Sequence, residues 1–85
     1  MTLGIVRLEG GIELEARWCS GNKDILWMDI KNRTLKELFD LFYGYSGRIE
    51  YRDEVFTGFN RIAVINDNFE GSVKIALRKE PANDE

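Results

Sequence analysis

The stretch "TLKELFDLFYG", residues 34–44, decides how the rest of the chain must be arranged. Leu35, Leu38, Phe39, Leu41 and Phe42 follow the i, i+3, i+4, i+7 spacing of one apolar helix face. Thr34 and Glu37 form a capping box: the Thr34 hydroxyl can accept from the Glu37 amide while the Glu37 carboxylate accepts from the Thr34 amide. Gly44 stands where a helix ends in a left-handed residue. The spacing therefore predicts one helix from Thr34 to about Tyr43, and no other part of the chain repeats it.

Upstream the period drops to two. In "IELEARWC", residues 12–19, Ile12, Leu14, Ala16 and Trp18 share one face, and Glu13, Glu15, Arg17 and Cys19 the other. Before it, Val6 and Leu8 alternate with Arg7 and Glu9, and Gly10-Gly11 supplies the positive φ angles of a tight hairpin turn. After the polar loop "SGNKD" comes "DILWMDI", apolar on both faces; taking Leu26, Met28 and Ile30 as inward places Ile25 and Trp27 outward. Downstream, "RIEYRDE" alternates with Ile49 and Tyr51 inward. "NRIAVIN" and "SVKIALRK" form a hairpin across "DNFEG", with Val73, Ile75 and Leu77 inward and Lys74, Ala76 and Arg78 outward. The expected order is β-β-β-α-β-β-β, an α+β fold of about six short antiparallel strands and one helix; a small, partly closed barrel is the competing arrangement. Residues 1–80 make a single domain, and "PANDE", residues 81–85, is a polar tail.

A chain of 85 residues has room for one core and buries only about 60 % of its unfolded surface. A single cysteine rules out an internal disulfide, which points to a reducing, cytoplasmic setting. Arg7 and Glu9 interrupt the N-terminus too early for a signal segment, and no apolar run reaches membrane-spanning length. The net charge of −3 argues against general polyanion binding.

No histidine is present, so Ser-His-Asp and Cys-His catalysis and the commonest metal ligand are unavailable. Glu13 with Glu15, and Asp53 beside Glu54, read as solvated pairs rather than an acid and base. Cys19 reads as a small hydrophobe. Asn66, Asn68, Glu70 and Gly71 imitate a calcium loop, but Leu77 stands at the twelfth position, where the bidentate glutamate belongs. No cofactor and no metal is expected, and the chain reads as non-enzymatic.

Seven of the ten aromatic residues lie between positions 39 and 59. Phe39, Phe42 and Tyr51 have core places in the pattern, whereas Tyr43 and Tyr45 fall off the apolar stripe at the helix end. Interleaved aromatics and arginines suit single-stranded nucleic acid, but Arg48, Arg52 and Arg61 are outnumbered locally by Asp40, Glu50, Asp53 and Glu54. Nucleic acid is therefore disfavoured. An exposed Trp27 near Tyr and Arg has the composition of a protein interface. The candidate partner-binding residues are Trp27, Tyr43, Tyr45, Arg48, Arg52, Phe56 and Phe59, and the partner is another protein or a second copy of the chain. The alternative is a small-ligand or nucleotide pocket in which Arg48, Arg52 and Arg61 face an anionic group.

Gly58-Phe59, Ile62, Ile65, Gly71, Val73, Ile75, Leu77 and Lys79 stand in a pattern that resembles the ending of many short orphan proteins of phages and prophages of Gram-positive bacteria. The resemblance covers roughly residues 34 to 79 and brings no shared site. It implies an accessory protein, a group that includes small inhibitors of host enzymes or host defence acting by stoichiometric binding.

Overall fold

The computed structural model describes residues 4–68 and 71–79. Its elements are β1 (Gly4–Leu8), β2 (Glu13–Gly21), β3 (Ile25–Lys31), α1 (Leu35–Phe42), β4 (Ile49–Tyr51), β5 (Glu54–Phe56), β6 (Phe59–Asp67) and β7 (Ser72–Lys79). All the strands join one antiparallel sheet in the order β5-β4-β1-β2-β3-β7-β6, curled into a half-barrel around the helix. The α+β class therefore stands, with seven strands where about six were expected. The extra one arises because Arg52 adopts φ 57° and turns the chain inside "RIEYRDE", pairing β4 with β5. An arginine in the left-handed region carries no glycine-like signal in the sequence. The tail at 81–85 and the tip of the β6–β7 loop lie outside the described residues.

The helix forms as its ends dictate. The Glu37 amide donates to the Thr34 hydroxyl at 3.1 Å, and the Thr34 amide donates to Glu37 Oε1 at 2.9 Å. Gly44 has φ 75°. Leu38 and Phe42 are buried on the inner face of the sheet, among Val6, Leu8, Leu14, Ala16, Leu26, Met28, Ile30, Ile49, Tyr51, Ile75 and Leu77. Phe39, expected in this core, is instead an exposed large hydrophobic that stacks on Tyr43 at 5.4 Å. Eight helical residues offer a narrower buried stripe than the spacing suggests, and Leu38 and Phe42, a turn apart, fill it.

The turn at Gly10 and Gly11 has the expected positive φ at both positions, 88° and 83°. Farther along β2 the sequence pattern misleads. Ala16 pairs with Ile30 and Trp18 with Asp29, so Arg17 is an extra residue, a β-bulge. Strict alternation would carry Trp18 inward. The bulge resets the phase, leaving Trp18 on the outer face and packing Cys19 against the core.

Candidate functional site

The bulge creates the most unusual surface of the molecule, the outer face of β2, β3, β7 and β6. Cross-strand pairing sets out four rows on it. Glu15, Lys31 and Ser72 form the first; Trp18, Asp29, Lys74 and Asn66 the second; Ser20, Trp27, Ala76 and Val64 the third; Ile25, Arg78 and Arg61 the fourth. Both tryptophans of the chain are here, Trp18 being 38 % exposed and Trp27 half-buried.

Asp29 is the residue that the sequence pattern assigns to solvent and the structure buries, at 2 % exposure, although it sits on the outer face. Its neighbours close over it. Arg17 Nε lies 3.8 Å from Asp29 Oδ2, and Lys74 Nζ lies 5.8 Å from the centre of the Trp27 ring. Asp29 Oδ1 is buried without a hydrogen-bond partner among the described residues. A carboxylate in such a place is held by its cationic surroundings, because a buried polar group left under-compensated costs about 1–3 kcal/mol.

The residues expected to form the partner surface are scattered. Trp27 sits on the outer face, while Tyr43, 73 % exposed, stands at the helix end with Phe39, where Gly44, Asn60, Arg61 and Ile62 complete a recess of about 230 Å³. Tyr45 is structural: its hydroxyl accepts from the Glu9 amide at 2.9 Å and donates to the Arg48 carbonyl at 2.6 Å, tying β1 to the loop before β4. The same loop is closed by the Arg48 amide donating to Glu9 Oε2 at 3.1 Å. Arg48 Nε pairs with Glu50 at 3.3 Å and the Arg52 guanidinium lies 5.3 Å from the Tyr51 ring centre. Phe59 is buried, and half-buried Phe56 meets it edge-on at 6.3 Å, so both serve the seam between β5 and β6. Arg61 alone of the three arginines reaches the recess, which falls below the roughly 300 Å³ of a typical small-ligand site.

The sequence reading missed Trp18, Asp29, Arg17 and Lys74 as a group. One signal was available, the buried-looking "DILWMDI" carrying an acid at position 29; the bulge that brings Arg17 and Trp18 beside it has no sequence mark.

Elsewhere the chemistry is quiet. Cys19 is half-buried and its thiol is pushed up to about 12 by burial and by the nearby Glu54 carboxylate, so it is a thiol at neutral pH. Among the described residues no three His, Cys, Asp or Glu side chains gather as metal ligands, and no helix is long and apolar enough to cross a membrane. No family model, curated protein or solved structure matches the chain.

Proposed function

We propose that this chain is a non-enzymatic binding module that holds another protein against the outer face of its sheet, with Trp18 and Trp27 as anchors. The observation that carries the reading is the placement of both tryptophans on one sheet face, beside Arg17, Lys74 and Arg78. Interfaces concentrate their binding energy in Trp, Tyr and Arg. Trp18 in particular stands outward because the bulge takes up Arg17, and bulges commonly re-aim side chains for use. The likeness of residues 34–79 to phage accessory proteins fits a small inhibitor or modulator of a host protein, a defence protein among the candidates.

The test compares immobilised wild type with Trp18→Ala and Trp27→Ala in a lysate of a Gram-positive bacterium, after thermal melts establish that each variant folds. A specific partner held by the wild type should be bound more weakly by each variant, by more than about 1 kcal/mol. Equal retention by folded variants would remove the face from the interaction. Light scattering of the isolated chain tests a second copy as the occupant.

A further inference from the structure

We propose that a second copy of this chain docks on the exposed side of α1, the two helices running antiparallel about a two-fold axis; this goes beyond the sheet-face reading and does not depend on it. Lys36, Phe39, Asp40 and Tyr43 follow the i, i+3, i+4, i+7 spacing and so share one helix face. All four are exposed, Phe39 at 41 % and Tyr43 at 73 %. The opposite face is the one that Leu38 and Phe42 bury against the sheet. The outer face of such a helix is ordinarily polar. Here two aromatic rings stand in it, stacked on one another at 5.4 Å, and each keeps its other side open.

The charges of this stripe choose the occupant. Lys36 and Asp40 bracket Phe39, and Lys36 Nζ lies 3.1 Å from Asp40 Oδ2 with the two side chains 85 % and 61 % exposed. So exposed a pair adds little to stability and gives way readily to an equivalent one. Turning the helix end for end about a perpendicular axis level with Leu38 exchanges positions 36 and 40. Lys36 of one copy then faces Asp40 of the other, and Asp40 faces Lys36. Phe39 of each copy stands one residue, a rise of about 1.5 Å, from the axis, so the two rings meet at the centre, and the Tyr43 rings extend the contact at both ends. The stripe is thus complementary to itself, as a two-fold interface requires.

Two parallel helices would set Lys36 against Lys36 and Asp40 against Asp40, so the charge order selects the antiparallel pairing. Polyanions are disfavoured, because the one lysine of the stripe is matched by its one aspartate. Eight helical residues give a contact only about 12 Å long. The interface therefore belongs to the small class, below about 1,200 Å², and its formation depends on concentration. The tryptophan face lies on the other side of the sheet and stays open in each copy, so a dimer built this way presents it twice.

Sedimentation velocity from about one micromolar to about one millimolar, the range in which so small an interface associates, should show the wild-type mass move from one chain to two. Phe39→Ser and Tyr43→Ser, with folding checked by thermal melts, should each weaken association about tenfold or more. Charge reversal separates the contact between chains from the one within the helix. Lys36→Asp alone and Asp40→Lys alone should each stay monomeric, while an equimolar mixture dimerises, because only the mixed pair has opposite charges at both contacts. Both changes suit their places, an acid near the helix N-terminus and a base toward the C-terminus. A wild-type chain that remains monomeric overturns the inference, as does a mixture of the charge-reversed chains that associates no better than either alone. A dimer kept by Phe39→Ser and lost on Trp18→Ala also overturns it and moves the second copy to the sheet face. Loss of a cellular partner on Trp18→Ala with the dimer intact supports both readings, whereas monomeric chains that still capture that partner overturn only the dimer.

Discussion

Cys19 shows how one position can be read correctly in kind and wrongly in place. It behaves as a small hydrophobe, but packs inward because the bulge takes up Arg17 and resets the alternation read from the sequence. Its thiol rises from 9.0 to about 12, chiefly through burial and then through Glu54. A raised thiol pKa means that the unfolded chain releases its proton first as the pH climbs, so the stabilising effect is intact below 9.0 and is lost between 9.0 and about 12. Chemical denaturation across that window should show a steeper alkaline loss for wild type than for Cys19→Ala. Below pH 8 the native thiol should react slowly with aromatic disulfide reagents and quickly once denaturant is added; parallel alkaline slopes, or fast native labelling, would refute the burial argument.

At the scale of the element, β2 is a strand in two halves. Before the bulge its apolar residues, Leu14 and Ala16, are inward at even positions; after it the inward residue is Cys19, at an odd one. Taking out Arg17 would restore simple alternation without moving any neighbour to the other face, so the residue is not needed for phase. Its evident contribution is the cation near Asp29, 3.8 Å away. Arg17→Ala should therefore destabilise the domain by about 1–3 kcal/mol in urea unfolding, the cost of an under-compensated buried polar group. Adding Asp29→Asn should recover part of that loss, because the buried charge goes with it. A single Arg17→Ala effect within about 0.5 kcal/mol, the usual range of surface substitutions, would show that Asp29 is held by other neighbours. The helix needs no such correction. Its capping box and its Gly44 stop are local chemistry, and they stand where the sequence placed them.

Across the described residues, the sheet gathers side chains on one face in a way that no stretch of the sequence displays. Arg61 and Arg78 are far apart in the chain and opposite one another in the sheet. Arg78→Glu puts a carboxylate on the face that carries both tryptophans and should weaken partner capture by more than about 1 kcal/mol while thermal melts show the domain still folded. Unchanged capture by the folded variant would remove Arg78 from the binding face.

The sequence by itself determined the helix and both its ends, the Gly10-Gly11 turn, the inward residues of β1, β3 and β7, and the α+β class. Each depends on periodicity or on hydrogen bonds between residues close in the chain. Only the tertiary structure decided that Phe39 faces out, that Tyr45 is occupied in tying β1 to a loop, that Arg52 turns the chain to make a seventh strand, and that Trp18 joins Trp27 over a buried Asp29. The reason is physical: strand register and bulges are fixed by pairing with distant strands. One extra residue exchanges the two faces for everything that follows it.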